Sequence, residues 1–204
     1  IFPHALTSYI STSILKRAQE NKLICIQTAD IRAFASDKHK TTDDSPYGGG
    51  PGMVMKIEPI YKAVQKLTRN SKKKTRIILF STRGKRFNQK TARRLAKYDH
   101  LIMICGRYEG VDERVAKEIA DEEISIGDYV LSGGELPAMV VTEAVSRHIP
   151  GVLGKNESLE EIKGSYPVYT RPEIFTTKED KNLKVPKVLL SGDHKKIDEW
   201  RRDR

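Results

Sequence analysis

Two glycine-rich segments hold the residues best suited to bind a small molecule. Residues 124–137 combine an apolar run with Gly127, Gly133 and Gly134, and residues 102–110 form a second apolar run that ends in a polar turn. Glycine has no Cβ, so its backbone can turn with positive φ or lie directly against a ligand. If a strand precedes each turn, both turns meet at the carboxyl edge of one parallel sheet, where small molecules bind in such folds. We therefore predict a cofactor site formed by these two segments.

Residues 81–86 are a third candidate at the same edge, because they follow the apolar run 77–80. They could bind an adenosine or a phosphate, with Lys85 and Arg86 as electrostatic contacts, or simply connect a strand to a helix. The glycine-rich stretch 43–53 lacks the Lys-Ser/Thr ending of a nucleotide triphosphate loop. It could admit a nucleic-acid backbone or be a plain surface loop.

Residues able to move protons or bind metals are sparse outside the carboxylates. The five histidines are scattered without ligand spacing, so we predict no metal ligands. Cys25 and Cys105 each lie in an apolar run, which predicts two buried, reduced thiols. Acid–base chemistry would then fall to Asp or Glu. Arg147 follows a small-residue apolar segment, where its guanidinium could stabilise charge developing on a substrate or the end of a helix.

The elements that must position these residues alternate along the chain. Apolar runs predict strands, and apolar positions at helical spacing predict helices. The predicted strands are 23–26, 77–80 and 101–105, and the predicted helices are 6–18, 59–67, 89–98, 112–120 and 137–147. This alternation is typical of an α/β fold in which helices flank both faces of a parallel sheet.

The composition fits one main domain with a small appendage. The chain has 204 residues, 38% of them hydrophobic, and a formal net charge of +10 from 37 basic and 27 acidic side chains. Such an excess favours a polyanionic partner if the charge is clustered, and a merely soluble basic protein is the alternative. No signal peptide or membrane-length apolar run is visible, so we expect a cytoplasmic protein. Because the chain begins at Ile1 without methionine, we also expect a first strand to precede it.

The pattern predicts three regions. Residues 1–154 form the cofactor-binding domain, residues 155–185 are a flexible loop or linker, and residues 186–204 hold a helix that is too short to be a domain of its own. Asp193 is the predicted N-cap of the helix in the third region. Residues 137–147 are small and apolar nearly all the way round, which predicts burial by a second subunit and hence a homodimer.

Six longer motifs are spread over nearly the whole chain, at residues 43–53, 105–114, 124–137, 146–154, 169–172 and 190–194. Together they closely resemble the bacterial tRNA (guanine-N1-)-methyltransferase family. The resemblance implies a SPOUT-class α/β fold with a deep C-terminal trefoil knot, an exception to the rule that chains do not thread loops. It also implies an obligate homodimer that uses S-adenosylmethionine to methylate N1 of guanosine 37 in the anticodon loop of tRNA. Magnesium is expected to assist the reaction, although no ligand set for it is visible.

The resemblance also assigns site residues. The expected cofactor-binding residues are Thr82, Gly106, Glu109, Ile126, Gly127, Asp128, Tyr129, Val130, Leu131, Gly133 and Gly134. Arg147 matches the arginine expected to offset charge that grows on O6 of the target guanine.

The loop that should carry the family's catalytic aspartate is several residues shorter here. Counting forward from Arg147 places Ile162 at the aspartate position. Glu161 is our first substitute as general base and Glu160 our second, and the alternative is that both are solvated loop acids. The C-terminal tail also stops within the family's helical tRNA-binding domain, whose remaining basic residues are Lys195, Lys196, Arg201 and Arg202.

Two other functions stay open from the sequence. One is a related knotted methyltransferase that acts on another RNA position. The other is a non-catalytic RNA-binding module that keeps the cofactor pocket.

Overall fold

The structure, a computed structural model, describes residues 1–69, 72–154, 164 and 166–203. The chain divides into two compact units, residues 1–154 and residues 155–204. Helices of the first unit are α1 (His4–Ile10), α2 (Ser13–Glu20), a 3-10 turn (Ile31–Phe34), α3 (Ile57–Thr68), α4 (Gln89–Leu95), α5 (Glu113–Glu118) and α6 (Glu135–Ser146). Its strands are β1 (Asp43–Asp44), β2 (Val54–Met55), β3 (Thr75–Arg86), β4 (His100–Ile104) and β5 (Glu122–Ser125).

Three strands form a parallel sheet in which β3 lies between β4 and β5. Successive side chains of a strand point to opposite faces, and β3 follows this rule. Ile78 and Phe80 pack in one apolar cluster with α4 and α6, whereas Leu79 packs in a second cluster with α3 and α5. The predicted α/β layout, a parallel sheet with helices on both faces, is therefore confirmed.

The predicted helices are confirmed with small changes at their ends. Two of them begin at side-chain caps: the Asn88 side chain accepts the N–H of Thr91 at 3.0 Å, and Asp112 accepts the N–H of Arg114 at 3.0 Å. The single helix predicted over 6–18 is two helices, α1 and α2, separated by residues 11–12.

The strand predicted at 23–26 is wrong. Residues 24–30 belong to no helix or strand, because the local donors serve a helix end instead. The N–H groups of Leu23 and Ile24 both donate to the carbonyl of Ala18 in the last turn of α2, at 2.9 and 3.4 Å. The Cys25 thiol is exposed, so the prediction that it is buried is also wrong.

An irregularity in β3 shapes the carboxyl edge of the sheet. Phe80 and Lys85 both pair with Ile124, so residues 81–84 loop out between two stretches of parallel pairing with β5. The returning chain passes very close to β5, since a Cβ on Gly84 would lie 2.6 Å from the carbonyl carbon of Glu123. The looped-out residues 81–84 therefore lie beside β5 at the carboxyl edge of the sheet.

Glu122, at the start of β5, ties α4 to the sheet. Arg94 holds its carboxylate with two hydrogen bonds of 3.0 and 2.6 Å, and Arg76 of β3 adds a third of 2.8 Å. Burial raises the pKa of Glu122, but the hydrogen bonds from Arg94 and Arg76 outweigh it and hold the pKa below its ordinary value. This cluster stabilises the packing of the layer that contains α4.

We expect Glu122→Gln to lower the free energy of unfolding at pH 7 by about 2 kcal/mol, because two guanidinium groups lose a charged acceptor. Exposure of the Arg94 side chain, 42%, keeps the loss below that of a fully enclosed pair. A lowered folded-state pKa stabilises above the unfolded pKa and is lost as pH falls through the folded value, so the variant should unfold with a flatter pH dependence below about pH 4. Urea unfolding at pH 7 and pH 4 measures both effects. Glu20→Gln, which alters an exposed pair with Lys16, is the matched control and should change little.

The second unit contains β6 (Ile174–Thr176), β7 (Asn182–Lys184), α7 (Lys187–Leu190) and α8 (His194–Arg202). Asp193 caps α8 by accepting the N–H of Lys196 at 3.2 Å, as predicted. Strands β6 and β7 form an antiparallel hairpin that the sequence pattern did not predict, because all six of their residues are exposed and show no alternation. No helix in the described part of the chain is long and apolar enough to cross a membrane.

Candidate active site

A cleft of about 380 Å³ opens where the three parallel strands end. Three segments line it: residues 79–83 of β3, residues 106–111 after β4, and the connection from β5 to α6. Ten of the eleven residues that the resemblance assigns to the cofactor lie in this lining. The structure therefore brings both predicted glycine segments, and the 81–86 segment in part, to one crevice.

Asp128 is the one assigned residue that does not line the cleft. Its carboxylate pairs with the Arg86 guanidinium, and the two side chains are 87% and 62% exposed. Its neighbours Gly127 and Tyr129 do line the cleft. In a tight loop, one side chain can point to solvent while its neighbours point into the cleft. The position of Asp128 between two lining residues therefore did not predict where its side chain lies.

Close backbone approach joins the two glycine turns. The Gly134 N–H donates to the Gly106 carbonyl at 2.9 Å, and Gly133 pairs with Arg107 in an isolated antiparallel bridge. A Cβ on Gly134 would lie 2.7 Å from Cα of Cys105, closer than real side chains come to backbone atoms. Glycine is required here because α6 begins directly against the end of β4.

The floor of the cleft is fixed by short-range contacts around Gly127. The Ser125 hydroxyl donates to the Gly127 carbonyl at 3.0 Å and accepts the Gly127 N–H at 3.3 Å. A Cβ on Gly127 would overlap the ring of Tyr129. These contacts hold the backbone of the connection from β5 to α6 in one conformation.

Sequence reasoning missed an ion pair beside the cleft. Arg107, in the turn after β4, donates from Nε to Oε1 of Glu135 at 3.0 Å, and the Glu135 side chain is 7% exposed. Among the described residues, Oε2 of Glu135 is buried and accepts no hydrogen bond. Both residues directly follow glycines of the two predicted segments, which is the one signal that could have pointed to them.

The glycine-rich stretch 43–53 contacts the cleft lining at Glu109. The Glu109 N–H donates to the Met53 carbonyl at 3.0 Å, and the Glu109 side chain lies against Gly52, where a Cβ would be 2.5 Å from Cγ. Gly52 has φ of +75°, a region that favours glycine. The last two residues of this stretch, Gly52 and Met53, therefore contact a residue that lines the cleft.

The thiol of Cys105 lies at the end of β4, beside the glycine turns. Burial, and after it the nearby Glu135 carboxylate, raise its pKa to about 12. At pH 8 a thiol with that pKa is thiolate in about one molecule in 10⁴, so it should react very slowly with alkylating reagents. Cys25 is exposed and should react first.

We therefore expect iodoacetamide at pH 8 to modify one cysteine quickly and the second only after unfolding. Mass spectrometry of tryptic peptides identifies the labelled site. Cys25→Ser should remove the fast reaction, and rapid labelling of Cys105 in the folded variant would contradict the argument.

Comparisons with known proteins agree with this geometry. The family described as tRNA (Guanine-1)-methyltransferase TrmD matches residues 1–204. Curated proteins named tRNA (guanine-N(1)-)-methyltransferase are 52% identical in Carboxydothermus hydrogenoformans and 53% in Dictyoglomus turgidum, each over 99% of this chain and 79% and 81% of the relative. A third, from Bacillus pumilus, is 49% identical over 99% of this chain and 83% of its own length. The chain belongs to the tRNA (guanine-1)-methyltransferase family.

Membership of this methyltransferase family confirms the resemblance and the enzyme class that the motifs predicted, and it implies a SPOUT-class fold. In the described part of the chain, no group of three His, Cys, Asp or Glu residues is placed to hold a metal ion. The roles assigned to individual site residues stay predictions.

The catalytic arginine expected for a tRNA methyltransferase of this family is not at the cleft of its own chain. Arg147 follows the last residue of α6, whereas Gly134 at the other end of the helix lines the cleft. Twelve helical residues span about 18 Å. The two proposed general bases, Glu160 and Glu161, and the aligned Ile162 lie outside the described residues.

Proposed function

We propose that this protein transfers a methyl group from S-adenosylmethionine to N1 of guanosine 37 in tRNA. The observation that carries the proposal is the glycine-walled cleft at the carboxyl edge of the parallel sheet, in a member of the tRNA (guanine-1)-methyltransferase family. Such an edge is the usual ligand site of parallel α/β sheets.

The cleft suits the methyl donor in size, backbone and charge. Its volume of about 380 Å³ is in the range of small-molecule sites. Side chains at Gly106, Gly133 or Gly134 would collide with neighbouring atoms, so main-chain groups can approach a ligand there. Two acids, Glu109 and Glu123, and two arginines, Arg83 and Arg107, also line the cleft, so the lining offers both signs of charge to a ligand that carries a carboxylate and positively charged groups. When bound, S-adenosylmethionine supplies a methyl group on a positively charged sulfur.

The chain's own residues would handle the proton and the charge. The N1 proton of guanine must be removed as the methyl group arrives, and a loop carboxylate, Glu161 or Glu160, is our candidate base. The guanidinium of Arg147 would stabilise negative charge on O6 of the guanine. Magnesium and the trefoil knot expected for the family belong to the same proposal.

A homodimer would bring Arg147 to a cleft. Leu136 and Val140 are 53% and 46% exposed, and at helical spacing they lie on the face of α6 that also carries Arg147. Twofold packing of α6 against its copy, in antiparallel orientation, buries these apolar side chains. It also places Arg147 of one subunit beside the N-terminus of α6, and hence the cleft, of the other.

Methyl transfer from labelled S-adenosylmethionine to matched tRNA transcripts tests the proposal. One transcript carries guanosines at 36 and 37, and the other carries adenosine at 37. Turnover on the first alone, with large losses for Glu161→Gln and Arg147→Ala, is the expected result. Loss in Glu160→Gln instead would move the base by one residue. Tight cofactor binding without turnover on either transcript would overturn the proposal in favour of an RNA-binding module.

A further inference from the structure

The net positive charge of this chain comes from one segment. Residues 66–100 contain thirteen of the 37 Lys and Arg side chains and a single acidic residue, Asp99. The rest of the chain carries the other 24 basic side chains against 26 acidic ones. The whole positive excess therefore comes from this segment, which runs from the end of α3 through β3 and α4 to the start of β4.

Arginines of the segment that lie near the sheet are paired with acids. Glu122 takes Arg76 and Arg94, Glu113 takes Arg83, and Asp128 takes Arg86. These four arginines hold elements together and contribute little to the outward charge. All lysines of the segment are exposed.

Three basic side chains lie on one side of α4 and of the turn that directly follows it, which contains Lys97. Lys90, Arg93 and Lys97 are spaced by three and four residues, so they share a face, and all three are exposed. The buried residues Ala92 and Leu95 are on the opposite side, in the apolar cluster under the sheet. The outward side of α4 and of the turn after it is thus cationic.

The lysine turn before β3 extends this face. The Lys74 N–H donates to the Asp99 carboxylate at 2.9 Å, and its ammonium lies 4.7 Å from the centre of the Tyr98 ring. Tyr98 directly follows Lys97, so the turn formed by Lys72, Lys73 and Lys74 adjoins the C-terminal end of α4. We call these six residues, Lys72, Lys73, Lys74, Lys90, Arg93 and Lys97, the α4 basic surface.

The α4 basic surface is carried by a helix that packs against α6. Ala92 and Leu95 of α4 share one apolar cluster with Val141 and Val145, which lie in the half of α6 nearer Arg147. In the proposed dimer, Arg147 reaches the cleft of the other subunit. The surface of one subunit would then border the active site of its partner.

We propose that the α4 basic surface binds the phosphate backbone of the RNA substrate, an inference that rests on the proposed function. Neutralised phosphates release counterions, which makes such binding strong and salt-dependent. A lipid surface fits less well, because an interfacial helix exposes large apolar side chains, whereas α4 keeps Leu95 buried.

Two charge-removal variants test the proposal. The first is Lys90→Gln, Arg93→Gln and Lys97→Gln together, and the second is Lys72→Gln, Lys73→Gln and Lys74→Gln. The matched control is Lys16→Gln, Lys62→Gln and Lys117→Gln, which removes the same charge where acids lie nearby. Fluorescence anisotropy gives the Kd for a tRNA transcript from 50 to 300 mM salt, and methyl transfer gives kcat and KM.

Each surface variant should bind tRNA at least tenfold more weakly than the control at about 0.1 M salt, with a salt slope smaller by about 2 to 3. KM for tRNA should rise while kcat and the Kd for S-adenosylmethionine stay near the parent's, because the cleft is untouched. Retained cofactor binding also shows that a variant is folded, and the second variant covers a folding failure of the first.

Equal tRNA affinity and salt slope in the surface and control variants would overturn the docking surface, even if the parent methylates guanosine 37. Weaker tRNA binding by the surface variants of a parent that methylates no guanosine would support the surface and overturn the function. Selective loss of binding to phosphatidylserine vesicles, with tRNA binding intact, would also overturn it.

Discussion

Gly134→Ala is expected to weaken S-adenosylmethionine binding at least a hundredfold and to lower the free energy of unfolding by about 2 kcal/mol. The backbone of Gly134, with φ of −82°, is ordinary for alanine, so the cause is steric. The new Cβ would lie 2.7 Å from Cα of Cys105 and 3.1 Å from the nitrogen of Gly106. Both atoms belong to backbone, which cannot rotate away as a side chain would.

Relief of this clash requires α6 to move away from the end of β4. That movement lengthens the 2.9 Å hydrogen bond from the Gly134 N–H to the Gly106 carbonyl, and both residues line the cleft. Cofactor affinity should therefore fall more than stability does, because the displaced groups are those proposed to hold the ligand. Isothermal titration calorimetry and urea unfolding measure the two quantities.

Gly154→Ala is the matched control for this prediction. A Cβ on Gly154 would meet no atom of the described residues within 4 Å, and its φ is outside the left-handed region. The control should leave both affinity and stability near the parent's values. Parental cofactor affinity in Gly134→Ala would show that the two turns are not the cofactor site.

The sequence correctly predicted strands where an apolar run also finds a neighbouring strand with which to pair. Strands β3 and β4 were predicted from apolar runs, and the two runs pair with each other in parallel, with Ile78 opposite Met103. The run at 23–26 has the same composition but uses its donors to end α2, which depends on a contact with Ala18 that no periodicity reports. Hairpin β6–β7 is exposed on all six residues, so burial left no trace in its sequence.

The glycines of the candidate site could be predicted from the sequence, but the ion pair between Arg107 and Glu135 could not. The glycine segments stand out in sequence, and at Gly134 only glycine suits the close approach of α6 to the end of β4. The contact between Arg107 and Glu135 joins residues 28 positions apart, and a single sequence contains no distance between them. The individual cofactor assignments came from the family resemblance, which names residues without saying that Asp128 turns outward to Arg86.

Arg147→Ala should reduce kcat for methyl transfer by about 10² to 10³, the usual cost of removing one donor that stabilises developing charge. The Kd for S-adenosylmethionine should change less than twofold, because the proposed contact of Arg147 is O6 of the guanine and not the cofactor. Arg147→Lys should recover part of the rate, since it keeps the charge but loses the guanidinium geometry.

Mixing two inactive variants separates action within one chain from action across the proposed dimer. Arg147→Ala subunits keep an intact cleft, and Gly134→Ala subunits keep an intact arginine. Exchange to equal mixtures makes half of the dimers hybrid, and each hybrid has one complete site only if Arg147 serves the partner's cleft. Activity should then return to about a quarter of the parent's.

Differently tagged subunits, purified through both tags, isolate the hybrid dimer and raise the expected activity to about half of the parent's. Each homodimer alone is the control and should remain inactive. A purified hybrid without activity would mean that Arg147 does not complete the partner's cleft, because that hybrid holds an unaltered arginine opposite an unaltered cleft. Recovery would also require that α6 faces its copy in antiparallel orientation, since the parallel arrangement would leave the two helix ends about 18 Å apart.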